Sequence, residues 1–206
     1  EEVVAVAYDS LKATLAQQSK LPKDLLRSGL QPILMTLADR HRLTSAGLDG
    51  LAHLLQLLTN YFKVEIGIKL LDHLSALAEP AMLRRAAAGP LDTHEKLRIL
   101  TAIVRVFHLL PDTAYQFLPR LLVYVAEIES HLRRSGPTPL TDMLTLFLDH
   151  FSEHTVRYYF ESDGHVRFTD VLQNPRLFRL LRLALQSPRG ASLRRELSRR
   201  AETLLL

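Results

Sequence analysis

Apolar residues recur at spacings of three and four along almost the whole chain, and this pattern most constrains how the chain can fold. Such spacings place side chains on one face of an α-helix. The two-residue alternation of a half-buried strand persists nowhere for more than a few positions. The pattern therefore predicts an all-α fold, in which each helix buries one apolar face against its neighbours.

Helical spans can be placed from this pattern, and helix breakers and capping residues account for most of their ends. The predicted spans are residues 2 to 18, 23 to 38, 44 to 60, 64 to 78, 80 to 88, 93 to 109, 112 to 133, 138 to 160, 164 to 173 and 175 to 205. The last two long spans are each expected to contain a break, the later one at residues 187 to 190. Caps for helix starts are expected from Thr44, from Asp92 or Thr93, and from Thr138 or Thr141.

The length of the helices and of their connections favours one kind of all-α architecture. Helices of about 15 residues joined by short turns are typical of HEAT-type repeats, whose period is roughly 40 to 47 residues. Pro32 and Pro119 each precede a run of apolar residues and lie 87 residues apart, close to two such periods. We therefore expect a HEAT-like α-solenoid, in which antiparallel helix pairs stack in a superhelix. A proline-kinked pair in an ordinary bundle is the alternative.

The amino-acid composition indicates the cellular compartment that the chain suits and the classes of partner that it can bind. The 206 residues are 47% hydrophobic, enough for a substantial core, and we expect one helical-repeat segment over residues 1 to 206 with both ends truncated. A formal net charge of +4 is too mild to indicate nucleic-acid binding. The absence of cysteine excludes disulfides and thiolate zinc sites and fits a reducing compartment. Charged residues interrupt the longest apolar stretches, so no membrane-spanning helix is expected.

One short motif indicates a possible enzyme. Residues 150 to 154 read His-Phe-Ser-Glu-His, the H-x-x-E-H pattern of inverted zinc peptidases. On one helix, His150 and His154 would share a face and could hold a metal, while Glu153 could polarise its bound water. A third ligand would be required, and no downstream acidic residue stands in a recognisable ligand context. A structural or solvated histidine pair is the simpler interpretation, so we expect no catalytic residue, metal or cofactor.

Arginines cluster towards the end of the chain. Residues 174 to 205 contain eight arginines and two glutamates. Arg176, Arg179 and Arg182 recur every three residues and are expected to form a stripe on one helix face, with leucines largely opposite. Guanidinium groups bind carboxylates and phosphates through paired hydrogen bonds, so the stripe is a candidate contact for an acidic partner. A solvated helix face that also contacts acidic residues elsewhere in the scaffold is the alternative interpretation.

A group of aromatic residues could either be buried in the core or stack on nucleic-acid bases. Tyr158, Tyr159 and Phe160 follow Phe147 and Phe151 at helical spacings. Aromatic residues at these spacings between leucines are usually buried, and no glycine-rich or basic-aromatic RNA-binding motif surrounds them. We therefore expect a core role for the aromatic group and no direct contact with nucleic acid.

Three stretches, in this order along the chain, carry a likeness to one known family. They are residues 54 to 74 (LLQLLTNYFKVEIGIKLLDHL), residues 106 to 111 (VFHLLP), and residues 146 to 160, which end in VRYYF. They resemble the transformation/transcription domain-associated protein family and its fungal counterparts, pseudokinases of the phosphoinositide-kinase-related group. The likeness covers roughly residues 25 to 78 and 97 to 200, whereas residues 79 to 91 match nothing in the family.

The resemblance implies a specific cellular role. It places the chain in the middle of a long helical solenoid, within a nuclear subunit shared by SAGA-type and other histone acetyltransferase coactivator complexes. The partners implied are transcription activators, other subunits of those complexes and neighbouring repeats of the same chain. No family motif assigns a partner contact to a particular residue here. A different helical-repeat binder, such as a transport receptor, is the alternative that the likeness of residues 54 to 74 disfavours.

Overall fold

A computed structural model of the chain describes residues 39–58, 64–160 and 174–205, together with Ala13, Met35 and Leu37. Within these residues the secondary structure is helical, which confirms the predicted all-α class. The α-helices are α1 Ser45–Leu58, α2 Ile66–Leu77, α3 Pro80–Ala87, α4 Glu95–Val106, α5 Leu118–Leu132, α6 Pro139–His150, α7 Ser152–Phe160, α8 Pro175–Gln186 and α9 Ala191–Leu205. Short 3-10 helices cover Arg40–Arg42, Leu91–Thr93, Phe107–Leu109 and Asp112–Phe117.

Several predicted features cannot be compared with the described residues. The spans 2 to 18 and 23 to 38 lie outside them apart from Ala13, Met35 and Leu37, which are helical. The span 164 to 173 and the stretch around Pro32 also lie outside. Residues 79 to 91, by contrast, are described and contain α3, which begins with Pro80 in its first turn.

The helices pack in two rows that share one continuous apolar core. In the first row α4 lies between α1 and α6, and in the second α5 lies between α3 and α8. The rows contact each other directly where α6 packs on α8 and α5, and α2 also packs on both α4 and α5. A helix between two neighbours must bury more than one face, and α4 accordingly buries seven of its residues: Leu97, Ile99, Leu100, Ala102, Ile103, Val104 and Val106.

Aromatic rings fill the centre of the core. Phe107 is fully buried, and its ring packs edge to face against Phe117 at 5.8 Å and against Phe147 at 6.1 Å between centroids. Phe107 and Phe117 lie in the two 3-10 helices between α4 and α5, whereas Phe147 lies on α6. Edge-to-face pairs at this separation are favourable beyond the area that they bury. The cluster therefore joins the two rows.

The predicted caps are confirmed at two helix starts and wrong at a third. Thr44 Oγ1 accepts a hydrogen bond from the Gly47 backbone N–H at 3.0 Å. Thr138 and Thr141 form a capping box at the start of α6, in which each hydroxyl accepts from the other residue's backbone N–H. The α4 cap was expected at Asp92 or Thr93, but these residues form a 3-10 turn. The helix instead follows His94, which makes no side-chain cap hydrogen bond.

Two further helix spans are divided in the structure. The break expected within the span 138 to 160 lies at Phe151, whose φ of −102° and ψ of 43° separate α6 from α7. The span 112 to 133 begins as a 3-10 helix, and Pro119 lies in the first turn of α5 rather than at a kink. Proline is tolerated there because the first backbone N–H groups of a helix have no intrahelical acceptor. The expected break at residues 187 to 190 is confirmed.

A Gly67→Ala substitution is expected to lower the free energy of unfolding by about 1 to 3 kcal/mol, because overpacking forces buried groups to shift. A Cβ at Gly67 would lie 2.3 Å from Phe117 Cε2, and the Phe117 ring is itself held against Phe107. Gly50→Ala in α1 is the matched control, since nothing lies within 4 Å of its added Cβ. The control is expected to stabilise the helix by roughly 0.5 to 1 kcal/mol. Hydrogen exchange of the α1 and α2 amides measures both effects, and equal protection in the two variants would contradict this packing.

No helix in the described part of the chain combines the length and the apolar character required to cross a membrane.

Candidate docking surface

The three arginines of the predicted stripe lie on α8 but have three different surroundings. The leucines predicted opposite them are buried, as expected. Arg176 is exposed beside a groove between α5 and α8, and Arg182 is exposed to solvent. Arg179 instead turns towards the end of α5, where its side chain is 24% exposed. Arg179 therefore contacts an acidic residue of its own chain, as the alternative interpretation of the stripe expects, and a role of the stripe in binding an acidic partner stays a prediction.

Arg179 stabilises a buried carboxylate. Its guanidinium lies 3.4 Å from Glu129 Oε2, and the Glu129 side chain is 2% exposed. Thr138 donates a hydrogen bond to the other carboxylate oxygen, Oε1, at 2.5 Å. A buried carboxylate is costly unless it is paired and hydrogen-bonded, and both conditions are met here. The cluster of Glu129, Thr138 and Arg179, which we name the Glu129 junction, joins α5, α6 and α8.

The Glu129 junction also holds the loop between α5 and α6. Helix α5 ends at Arg133, which adopts a left-handed conformation with φ of 51°. Arg179 donates hydrogen bonds to the backbone oxygens of Arg134 and Gly136 that follow. Arg134 in turn donates to the carbonyl oxygens of Ala87, the last residue of α3, and of Gly89, at 3.0 and 2.8 Å. Two arginines therefore connect successive members of the second row.

Burial raises the pKa of Glu129 above its ordinary value of 4.5, against the opposing effects of the Thr138 hydroxyl and Arg179. Between these two pKa values the folded state binds more protons than the unfolded state, so the free energy of unfolding falls as pH rises through that window. We therefore expect acidification from neutral pH towards pH 4.5 to strengthen amide protection in α5. Glu129→Gln lacks the titrating group and serves as the control. If wild type and Glu129→Gln respond equally to pH, the raised pKa is contradicted.

A groove lies between α5 and α8 beside Arg176. Its volume is about 350 Å³. The lining combines apolar and polar side chains, namely Val123, Ala126, Glu127, Ser130, His131, Asn174, Arg176 and Leu177. Val123 is 52% exposed, although it lies on a helix that buries most of its apolar residues. Asn174 caps α8 by accepting from two backbone N–H groups, so its side-chain oxygen already has donors.

Most arginines of α9 have partners on the same helix, at the end of α8 or on the turn between the two helices. Arg194 donates to the carbonyl oxygens of Leu185 and Ser187 at 2.9 and 2.6 Å. Arg199 and Arg200 both contact the Glu196 carboxylate, and the Arg199 hydrogen bond is the main reason that the pKa of Glu196 is lowered. The charge of α9 is therefore partly neutralised within α9 itself.

The H-x-x-E-H residues do not share one helix face. His150 is the last residue of α6, whereas Glu153 and His154 lie on α7, after the break at Phe151. The His154 ring stacks on Tyr115 with centroids 3.9 Å apart, and Glu153 forms an ion pair with Arg157 at 3.7 Å. Within the described ranges, no group of three His, Asp or Glu residues could hold a metal ion. The single-helix arrangement on which the zinc interpretation depended is therefore not present, since His150 and His154 lie on different helices.

We expect no stoichiometric zinc in the intact protein purified without a histidine tag. The reason is geometric, since His150 and His154 lie on different helices and the His154 ring is already stacked on Tyr115. Elemental analysis of wild type and His150→Ala measures this. Tight zinc at a one-to-one ratio that His150→Ala abolishes would restore the hydrolase interpretation.

Three rings of the aromatic group are buried in the core, as expected, and Tyr158 and Phe160 are partly buried against it. Tyr159 is fully buried, and its hydroxyl donates to the Leu177 carbonyl oxygen at 3.0 Å. Burial raises the pKa of Tyr159 far above its ordinary value, so it stays protonated as a donor. Phe147 and Phe151 are also buried. These rings are therefore not accessible for stacking on nucleic-acid bases.

Two residues of this region were missed by the sequence analysis. Glu129 follows Val125 by four residues and precedes Leu132 by three, so its position on a buried helix face was readable from spacing. Such a carboxylate requires a partner, although spacing alone does not say which one. Phe178 lies four residues before Arg182 and is 48% exposed. An aromatic residue beside leucines resembles core, and only the packing of α8 reveals its exposure.

Comparison with known proteins identifies the family. A model of the Tra1 HEAT repeat ring region matches residues 1–206. The chain belongs to this Tra1 ring family. The match includes residues 79 to 91, which the sequence resemblance did not cover. It confirms both the predicted family and the HEAT-like architecture.

Relatives of the Tra1 family are found in fungi and in animals. The chain is 44% identical over 179 residues to the SAGA complex/NuA4 acetyltransferase complex subunit Tra1 of Schizosaccharomyces pombe, covering 85% of the chain and 5% of that protein. It is 42% identical over 158 residues to the subunit of the same description in Saccharomyces cerevisiae, covering 77% and 4%. The human transformation/transcription domain-associated protein is 21% identical over 190 residues, covering 77% and 5%. The chain thus spans about 5% of the length of these relatives.

Proposed function

We propose that the chain is a non-catalytic scaffold segment of a transcription coactivator subunit shared by SAGA-type and other histone acetyltransferase complexes. Its partners are transcription activators, other subunits of these complexes and neighbouring repeats of the same protein. The proposal places the chain in the nucleus as one helical-repeat segment. The observation that carries it is the family match over residues 1–206, together with two fungal relatives described as SAGA and NuA4 subunits.

The proposed scaffold function depends on an extended surface that the stacked helices present to partner proteins. Two helix rows bury one continuous core, so each helix keeps an outer face for contact with partners. Within the described residues, the buried polar side chains of the core are engaged in structural hydrogen bonds: His73 to the Leu37 carbonyl oxygen, Thr155 to that of Leu148, and Glu129 to Thr138. These contacts stabilise packing and provide no poised nucleophile or acid–base pair.

Native affinity purification of the intact protein from nuclear extract tests the proposal. We expect acetyltransferase and other coactivator subunits to co-purify in constant ratio with the tagged protein. A tagged helical-repeat transport receptor, purified in parallel, controls for non-specific capture. Intact protein that purifies without acetyltransferase subunits, or with transport cargo instead, would overturn the proposed function.

A further inference from the structure

The turn between α8 and α9 presents a serine directly before a proline. The chain contains two such pairs of a hydroxyl residue and a proline, Thr138 with Pro139 and Ser187 with Pro188. Ser187 is partly exposed, and the two residues after it, Pro188 and Arg189, are exposed. Ser187 follows α8 in an extended conformation, with φ of −70° and ψ of 139°, which is the conformation that a following proline favours. The Ser187 hydroxyl therefore lies on an accessible, extended segment.

The hydroxyl of the other pair is used inside the fold. Thr138 is 2% exposed, and its Oγ1 donates to Glu129 and accepts from the Thr141 backbone N–H. Ser187 Oγ instead accepts from the Arg189 backbone N–H at 3.3 Å, in the exposed turn. A serine hydroxyl that accepts one hydrogen bond still has its proton and a second lone pair. The structure thus leaves Ser187 as the accessible member of the two pairs.

A guanidinium group lies beside Ser187. Arg194 Nη1 donates to the carbonyl oxygens of Leu185 and Ser187 at 2.9 and 2.6 Å. The backbone and side-chain oxygens of one serine lie close together, so a phosphate on Ser187 Oγ comes within reach of this guanidinium. Guanidinium groups bind phosphate oxygens through paired, charge-assisted hydrogen bonds. The first turn of α9 is not required for this contact, since the Leu193 N–H already donates to Asp149 Oδ1 at 2.8 Å.

Gly190 holds the serine and the arginine on one tight turn. Its N–H donates to the Ser187 carbonyl oxygen at 3.1 Å, and its own carbonyl oxygen accepts from the Arg194 N–H at 3.1 Å. A Cβ added at Gly190 would lie 2.1 Å from the Ala184 carbonyl oxygen, so the backbone of the turn packs closely against the end of α8. The position of Arg194 beside Ser187 is therefore fixed by the backbone of the turn.

We propose that Ser187 is a phosphorylation site for a proline-directed protein kinase, and that Arg194 holds the phosphate. Ser187 Oγ attacks the γ-phosphorus of ATP, the bond from that phosphorus to the β,γ-bridging oxygen breaks, ADP leaves, and the hydroxyl proton passes to the catalytic aspartate of the kinase. The phosphate adds about 1.5 to 2 negative charges at pH 7 to residues 174 to 205, which contain eight arginines and two glutamates. The inference goes beyond the proposed scaffold function, which does not depend on it.

A kinase that recognises arginine would select a different serine. Ser198 follows Arg195 by three residues and is exposed. It lies within the helix Ala191–Leu205, however, where the backbone is helical and its polar groups are hydrogen-bonded within the helix. A kinase must place the acceptor hydroxyl in line with the γ-phosphate in its own cleft, which an extended turn permits more readily than a packed helix. The geometry therefore favours Ser187 over Ser198.

Phosphorylation of the intact protein in vitro tests the acceptor site. Protein first treated with phosphatase is incubated with ATP and a purified proline-directed kinase, and the phosphate is located by mass spectrometry. A synthetic peptide of residues 183 to 192 shows that the kinase is active. Pro188→Ala keeps the serine and removes the recognised proline, whereas Ser187→Ala removes the acceptor.

We expect phosphate on Ser187 of wild type, about tenfold less or lower in Pro188→Ala, and none in Ser187→Ala or on Thr138. Phosphorylation of the peptide without phosphorylation of Ser187 in the intact protein would overturn the inference. Phosphate on Thr138 or Ser198 in place of Ser187 would overturn it as well.

Removal of the phosphate by a non-specific phosphatase tests the role of Arg194. Arg194→Gln removes the charge, Arg194→Lys keeps it, and Arg195→Gln removes an exposed charge from the next position as the matched control. We expect dephosphorylation to be about fivefold faster in Arg194→Gln than in wild type, because the charge-assisted hydrogen bonds to the phosphate are lost. Arg194→Lys should restore part of the protection, and Arg195→Gln should resemble wild type. Equal rates in Arg194→Gln and Arg195→Gln would show that Arg194 does not hold the phosphate.

Discussion

Arg179→Met is expected to lower the free energy of unfolding by about 3 kcal/mol, the low end of the effect of breaking a buried ion pair. The substitution leaves Glu129, whose side chain is 2% exposed, without its cationic partner. The low end applies because Arg179 itself is 24% exposed. The loop carbonyl oxygens of Arg134 and Gly136 lose their donor at the same time. Amide exchange in α5 and α8 of the intact protein should accelerate by about a hundredfold, since each 1.4 kcal/mol corresponds to a factor of ten.

Arg182→Met is the matched control for this prediction. Arg182 lies three residues further along the same helix and is exposed, so its loss should change the free energy of unfolding by less than about 0.5 kcal/mol. The double variant Glu129→Leu/Arg179→Met should recover part of the lost stability, because no charge then remains buried. If Arg179→Met and Arg182→Met show the same protection, Arg179 is not a structural partner of Glu129.

Phe107→Ala is expected to lower the free energy of unfolding by about 3 to 5 kcal/mol, as large-to-small substitutions of buried aromatics do. Phe107 is fully buried and contacts the rings of Phe117 and Phe147, so its removal leaves a cavity between the two helix rows. Local unfolding should spread to α4 and α6, which the ring contacts join. Hydrogen exchange of their amides, or protease cleavage within them, measures the effect in the intact protein.

Phe178→Ala provides the control for the loss of a phenyl ring. Phe178 is 48% exposed, and its substitution should cost less than about 1 kcal/mol because little cavity forms. Equal protection of α4 in Phe107→Ala and Phe178→Ala would contradict the assignment of Phe107 to the central core.

Features determined by nearby residues were predicted well from the sequence. The all-α class follows from apolar spacing, and a cap at Thr138 or Thr141 was expected because threonine is a preferred capping residue before a helix. The turn at residues 187 to 190 follows from its proline and glycine. In each case the interacting groups lie within a few positions of one another, so the local structure can be predicted from neighbouring residues.

Features determined by distant contacts were not predictable in the same way. Arg179 and Glu129 are 50 residues apart, and only the stacking of α5 against α8 brings them together. The break at Phe151 lacks proline or glycine and coincides with packing of the Phe151 ring on Phe147 at 5.0 Å. This break separates His150 from His154, which the motif alone had placed on one helix. Tertiary packing thus determines both the partner of Arg179 and the separation of His150 from His154.

Crosslinking mass spectrometry of the intact assembly tests the central claim most directly, because it locates contacts of these 206 residues with other subunits. Reagents that join carboxylates and lysines suit this chain, and the Lys96–Glu79 pair at 3.8 Å provides an internal positive control. We expect this internal crosslink to form and exposed residues of the segment also to crosslink to at least one coactivator subunit. Formation of the internal crosslink without any crosslink to another subunit would contradict a scaffold role for this segment.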